Sequence, residues 1–260
     1  MSRPKFSIFG GISTGFPSIC SCAEKLLYNT LMAHASGSLS ELRLTPTGLA
    51  GRIDCPANLH PAPGQYLLAS SNDPTETLPV PLFPAGLPQG NELPIAPPLP
   101  AHWVAGEPLL LRGPLGHGFS PPSTTRRFAL AALQAPPDLL FPLCEQAVRQ
   151  NASVALYTAS PPSDLPAEVE ISPLDLLPEA LTWADYLAAV FPRESLAGFR
   201  RLAGLGLFDR LTIPAQALLL SPMPCGGIAE CGVCAVRTTR GWQHACSDGP
   251  VFDLNTLEVE

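Results

Sequence analysis

The stretch Cys225-Gly-Gly-Ile-Ala-Glu-Cys-Gly-Val-Cys234, with Cys246 beyond a further eleven residues, carries the pattern C-x5-C-x2-C-x11-C. Four thiols so spaced, three of them in one glycine-bearing loop, read as a metal or cluster site whose ligands are Cys225, Cys231, Cys234 and Cys246. The loop chemistry favours a [2Fe-2S] cluster over zinc. Such a cluster needs four thiolates and also backbone N–H groups turned toward its sulfurs, because those hydrogen bonds stabilise the more negative reduced state. Gly226, Gly227 and Gly232 let the chain wrap that closely without Cβ clashes. A structural zinc site more often uses two C-x2-C pairs on facing knuckles, and this chain has one such pair. Zinc stays as the competing reading.

Working outward, the chain has 260 residues, enough for two domains or one with additions, and its hydrophobic content of 46% can fill a sizeable core. Charged residues make up only 14% and the net charge is −7. With no basic stripe to neutralise phosphates, nucleic acid is not an expected partner. No run approaches the roughly eighteen apolar residues of a membrane span. The N-terminus has no uninterrupted apolar stretch of the secretory kind, since Gly10, Gly11, Ser13, Thr14 and Gly15 dilute it, so the expected compartment is the reducing cytoplasm.

Patterning divides the chain into four. Residues 1–38 form an N-terminal extension with turn signals, a helix-like run over 23–35 and a break at Ser36-Gly37-Ser38. Residues 39–122 carry short strands at 41–45, 49–55, 65–69 and 108–112, spaced as in an antiparallel barrel. The proline-rich stretch 74–100 is expected to form loops and edges around that scaffold. Over 123–210 strands at 128–133, 154–157, 169–171 and 186–191 alternate with helices at 137–151 and 194–204, which predicts a parallel, doubly wound α/β sheet. Residues 211–260 hold the cysteine loop. The predicted fold is thus multidomain α+β: antiparallel β-barrel, Rossmann-like α/β domain, small C-terminal cluster domain.

Four stretches then carry a resemblance. Pro63-Gly-Gln-Tyr66, the segment Gly113-Pro-Leu-Gly-His-Gly-Phe119 after Trp103-Val-Ala-Gly106, Ala184-Asp-Tyr-Leu187, and the tail with Pro224-Cys-Gly226, Cys231-x-x-Cys234 and Cys246-x-Asp-Gly-Pro-Val-Phe252 resemble the electron transfer subunit of heterotetrameric dihydroorotate dehydrogenase. That family is a branch of the ferredoxin-NAD(P) reductase superfamily. Its tail is similar to the plant-type ferredoxin loop, although the first pair here is spaced by five residues and not four. The resemblance implies electron traffic from a reduced nicotinamide through FAD to a [2Fe-2S] cluster and on to a catalytic partner subunit.

The chain departs from the family at the nucleotide motifs. Where members carry an Arg-x-x-Ser-like phosphate grip, this chain has Leu78-Pro-Val-Pro-Leu-Phe-Pro84; where they carry a glycine-rich turn, it has Leu130-Ala-Ala-Leu-Gln-Ala-Pro-Pro137; and Ala189-Val-Phe-Pro-Arg193 replaces a Cys-Gly-Pro loop. NAD(P) binding is therefore expected to be lost. FAD stays open, with Gly113, Pro114, Leu115 and Gly116 as its candidate contacts or, equally, as a tight interdomain turn.

Other residues have plainer readings. Cys144 and Cys55 are expected in the core, His117 on an exposed loop, and Trp242 in packing or as a shield for the cluster; His244 could reach a cluster sulfur. The Cys20-x-Cys22 pair reads as unpaired thiols, and the letters Gly11-x-Ser13-x-Gly15 as an ordinary turn without a hydrolase sheet beneath. The expected function is an electron transfer subunit of a multi-subunit oxidoreductase, passing single electrons to or from a partner chain and not acting as a stand-alone enzyme. The alternatives are an FAD-containing NAD(P)H reductase module and a zinc-stabilised scaffold, and residues 1–38 are expected to dock a partner.

Overall fold

Short strands broken by Pro and Gly turns fold the first half of the chain into a curled antiparallel sheet. The computed structural model describes residues 33–259 except 161, 163, 164, 207 and 208. Cys20, Cys22, Ser13 and most of the helix-like run lie outside the described residues. The sheet comprises β1 (Ala33–Thr45), β2 (Gly48–Asp54), β3 (Tyr66–Ser71), β4 (Val80–Leu82), β5 (Glu92–Ile95) and β6 (Pro108–Leu115), in the order β4-β3-β6-β1-β2-β5. Its two edges meet at a bridge between Pro84 and Ile95, flanked by hydrogen bonds from Ala85 N to Pro94 O and from Ala96 N to Phe83 O. Leu39, Ile53, Leu67, Leu93, Trp103 and Leu111 fill the interior. Both strands from the proline-rich stretch, β4 and β5, are the edge strands, where a missing N–H breaks no ladder.

The predicted break at Ser36-Gly37-Ser38 is instead the middle of β1, which pairs with β6 from Ala33 to Ser38. Glycine here answers crowding rather than ending an element: a Cβ on Gly37 would stand 2.3 Å from Asp54 O and 2.7 Å from a Leu111 methyl. Among the described residues the barrel's first strand thus runs from Ala33, ahead of the expected boundary at residue 39.

The second half is an α/β layer. Its elements are β7 (Arg127–Ala132), α1 (Phe141–Arg149), β8 (Ser153–Thr158), β9 (Val169–Ser172), α2 (Leu177–Trp183), β10 (Tyr186–Pro192), α3 (Leu196–Leu202) and β11 (Ala215–Leu220). A hairpin of β12 (Ala235–Thr238) and β13 (Gly241–His244) follows, then β14 (Val251–Asp253). The sheet order is β14-β11-β10-β7-β8-β9, parallel except for β14, which pairs antiparallel with β11. Central strands are buried on both faces, so they read as unbroken apolar runs such as Phe128 to Ala132 and Tyr186 to Phe191. One face is covered by α1 through Leu143, Cys144 and Ala147; the other by α2 and α3 through Leu177, Ala180, Leu196 and Phe199.

The predicted boundary at residue 210 does not match this layer. β11 and β14 are members of the α/β sheet, so only 221–250 stand apart as the cysteine segment, held at both ends by one sheet. Cys234, Ala245 and Cys246 share a hydrophobic core with Tyr66, Leu115 and Phe252. Barrel, sheet and cysteine segment therefore pack around one seam.

Candidate functional site

The cysteine loop turns inward because its backbone takes left-handed conformations at Gly226, Gly227, Ala229 and Gly232, with φ of 64°, 80°, 59° and 70°. These turns aim successive amides at the thiols. Burial alone would push the Cys225 thiol up, but hydrogen bonds from the Cys231 side chain and from the amides of Glu230, Cys231 and Ile228 outweigh it and bring it down to about 7. The Cys246 thiol hydrogen-bonds Cys234 and, against burial, brings Cys234 down to about 6. Cys246, donor of that bond and buried, is pushed up; the Ala229 amide points at its sulfur.

The four thiols thus stand as two bonded pairs, Cys225 with Cys231 and Cys234 with Cys246, and Cys246 also feels the charge of Cys225. Among the described residues no group of three or more His, Cys, Asp or Glu is disposed to hold one metal ion. Four thiols among inward-turned amides match the donor set of a two-iron cluster. Cys225 is half-buried, Cys231 is exposed, and Cys234 and Cys246 are buried.

Three residues outside the loop hold it. Tyr66, fully buried at the start of β3, donates its hydroxyl to the Cys246 carbonyl at 2.8 Å. Burial first, and the nearby thiols, push its phenol up, so it keeps its proton. Arg112 of β6 donates to the Gly226 carbonyl. Arg193, just after β10, donates through Nη1 to Val233 O at 2.9 Å and Ala235 O at 2.7 Å, clasping the backbone on either side of Cys234. Sequence reading missed all three. Pro63-Gly-Gln-Tyr66 reads as a strand entry, and nothing local to it signals the hydroxyl's role.

The remaining candidates fall as follows. Gly113, Pro114 and Leu115 form the end of β6 and not a turn, with a Cβ on Gly113 standing 2.6 Å from a Leu67 methyl; Gly116 meets the far end of the cysteine segment, where its Cβ would stand 2.5 Å from Gly249 O and His117 N donates to the same carbonyl at 2.5 Å. His117 is exposed, as expected, and Cys55 and Cys144 are buried, with thiols pushed up by burial to about 11 and about 12. His244 faces Asp248, whose carboxylate accepts from the His244 amide at 2.8 Å. Trp242 is neither packed nor a shield: on the two-stranded hairpin its indole is 63% exposed.

A crevice of about 420 Å³ lies where β4 meets the C-terminal edge of the parallel sheet, the place at which an open α/β sheet receives a nucleotide. Six of its thirteen lining residues are prolines: Pro81, Pro97, Pro98, Pro136, Pro192 and Pro222. Proline has no N–H to offer a phosphate, and the one ionisable group in the wall is the carboxylate of Glu194. The turns after β7 and β10 are joined across this edge by a hydrogen bond from Ser195 Oγ to Gln134 Oε1 at 2.7 Å. These residues do not fit a pyrophosphate.

Residues 221–258 match the family model of the iron-sulfur cluster binding domain of dihydroorotate dehydrogenase B. A search of curated proteins by sequence gives no match. Among solved structures, the chain is similar to an NADH-dependent reduced ferredoxin-NADP oxidoreductase described for flavin-based electron bifurcation, at 16% identity and TM-score 0.68, over 86% of this chain and 90% of that one. It is also similar to phthalate dioxygenase reductase, a modular protein for electron transfer from pyridine nucleotides to [2Fe-2S], at 10% identity and TM-score 0.54, over 80% and 87%. A ferredoxin NADP+ reductase from Neisseria gonorrhoeae with bound FAD and NADP gives 13% identity and TM-score 0.51, over 71% and 98%. The C-terminal segment is thus similar to the iron-sulfur cluster binding domain of dihydroorotate dehydrogenase B, and the rest of the chain shares its fold with these reductase structures.

Proposed function

We propose that this chain is the electron transfer subunit of an oxidoreductase complex, relaying single electrons through a [2Fe-2S] cluster to or from a catalytic partner subunit. The observation that carries this reading is the match of residues 221–258, with Cys225, Cys231, Cys234 and Cys246 among them, to the iron-sulfur cluster binding domain of dihydroorotate dehydrogenase B. Those four cysteines would hold the cluster, which supplies one-electron exchange when bound. The chain's own residues do the rest. The loop amides satisfy the sulfurs, while Tyr66, Arg112 and Arg193 fix the loop to barrel and sheet so that little rearranges when charge changes. Met223 and Ala229, both buried, keep water from the inner side, and Cys231 with Val233, 44% exposed, brings the outer rim to the surface where a partner can approach. Among the described residues no helix is long and apolar enough to cross a membrane.

The test is anaerobic purification followed by iron and sulfide analysis, visible absorption, and low-temperature EPR before and after dithionite. Equal iron and sulfide, about two of each per chain, with an EPR signal that appears on one-electron reduction, is the expected result. Serine at Cys234 or Cys246 should abolish it. A colourless protein that takes up one zinc ion through the same cysteines and gives no EPR signal would overturn the proposal.

A further inference from the structure

We propose that Arg112 and Arg193 raise the reduction potential of the cluster, acting through their charge and not only as supports of the loop; this rests on the reading of the four cysteines as [2Fe-2S] ligands. Both guanidiniums bond the loop's backbone at a residue adjoining a cysteine. Arg112 of β6 donates to the carbonyl of Gly226, which follows Cys225, and with Cys225 it lines a groove of about 290 Å³ beside the loop. Arg193, just after β10, donates to the carbonyls of Val233 and Ala235, the two neighbours of Cys234. One cation thus comes from the barrel and the other from the α/β sheet, and they reach different cysteines.

Burial decides which charges the cysteines feel. Arg112 and Arg193 are half-buried, whereas Glu194 beside Arg193, Glu230 beside Cys231 and Asp248, two residues past Cys246, are all exposed. Water and salt screen an exposed charge, and screen a partly buried one much less. The chain carries a net charge of −7, yet the charges bonded to the loop's backbone are positive. One-electron reduction adds one negative charge to the cluster and its thiolates and neither makes nor breaks a bond; the electron comes from the partner's redox centre in the proposed relay and from dithionite in the test. A fixed cation nearby favours the more negative form, so each arginine shifts the equilibrium toward the reduced state. Charge and hydrogen bonding coincide at both positions, and substitutions that separate them decide between an electrostatic and a purely structural role.

Potentiometric titration of the cluster-loaded full chain, followed by EPR, gives the midpoint potential. R112Q and R193Q remove the charge and should each favour the oxidised form by about three- to tenfold, a potential roughly 30–60 mV lower at about 59 mV per tenfold. R193K keeps the charge but not the fork that spans two carbonyls, so its equilibrium should stay within about 1.5-fold of the parent's, roughly 10 mV, while a chelator takes its iron faster. R149Q, at the end of α1 on the opposite face of the sheet from the cysteine segment, controls for net charge and should leave the potential where it is. Potentials unmoved in both R112Q and R193Q would refute the proposal. So would a shift in R193K as large as in R193Q, which would assign the effect to hydrogen bonds, or an equal shift in R149Q, which would assign it to net charge. Iron, sulfide and EPR of the parent report separately on the cysteines: a parent without a cluster overturns the relay reading and this proposal together, whereas a loaded parent with unmoved variants overturns this proposal alone.

Discussion

Replacing Tyr66 by phenylalanine should loosen the cysteine segment while leaving the barrel's packing in place. The ring is fully buried and stays in contact with Phe83, so the change deletes only the hydroxyl that donates to the Cys246 carbonyl at 2.8 Å. Deleting one partner of a buried hydrogen bond costs about 1–3 kcal/mol, because the acceptor left behind has lost its water as well. At about 2–4 °C per kcal/mol for a chain of this size, a loss near 2 kcal/mol lowers the melting temperature by about 4–8 °C. Differential scanning of the cluster-loaded protein measures this. The decay of visible absorption under a chelator measures whether the loss is felt at the cysteines, where Y66F should release iron faster. A melting temperature within about 1 °C of the parent, with unchanged iron release, would mean that the Tyr66 hydroxyl does not hold the segment.

Other outcomes can be checked with the same assays. R193A removes two charge-assisted hydrogen bonds flanking Cys234 and should cost about 1.5 kcal/mol, with faster chelator-driven bleaching and no change in the visible spectrum of intact protein. G232A puts a Cβ into open space at φ 70° and should cost only the left-handed strain of about 1–2 kcal/mol. G227A adds a contact 3.1 Å from the Tyr66 hydroxyl at φ 80°, so it should lower the melting temperature more than G232A does. Asp185 accepts from the Arg127 guanidinium and from the amides of Arg126 and Arg127, and the arginine's hydrogen bond holds its carboxyl below its ordinary 3.8. A depressed carboxyl contributes stability above its unfolded range and loses it as pH falls through the folded value. D185N should therefore destabilise the protein at pH 7 and flatten the acid limb of its melting-temperature profile below about pH 4.

What could be read in the sequence was what is local. β8 and β10 were legible because a strand buried on both faces needs an unbroken apolar run, and the cysteine loop because its spacing and glycines act within ten residues. β11 carries an equally apolar run, Ala217 to Leu220, but its membership of the sheet depends on pairing with β10, which the run itself does not encode. Pairing between Leu218 and Val251 brackets the cysteine segment, and nothing local to either strand encodes it. The same holds for the loop's supports. Tyr66 and Cys246 are 180 residues apart, and Arg193 and Ala235 are 42 apart. Trp242 misled for a different reason: an aromatic beside a ligand suggests cover, but on a two-stranded hairpin outside both main sheets it meets solvent.

The eroded nucleotide motifs have not simply decayed. Arg193 stands where the family has its Cys-Gly-Pro loop, and it now holds the backbone around Cys234. Gln134 stands where a glycine-rich turn would admit a nucleotide; it takes the turn's left-handed conformation, φ 52°, and accepts from Ser195 across the sheet edge. Gly116 and His117, just past the end of β6, are covered by Gly249 at the end of the cysteine segment. Two of these contacts are to the cysteine segment, and the third joins the turns that follow β7 and β10. The bonds from Arg193 and the contact at Gly249 tie the cysteine segment to the sheet and the barrel. Arg193 joins the replaced motifs to the cysteines: the residue that departs from the family's loop is the one that holds the backbone on either side of Cys234.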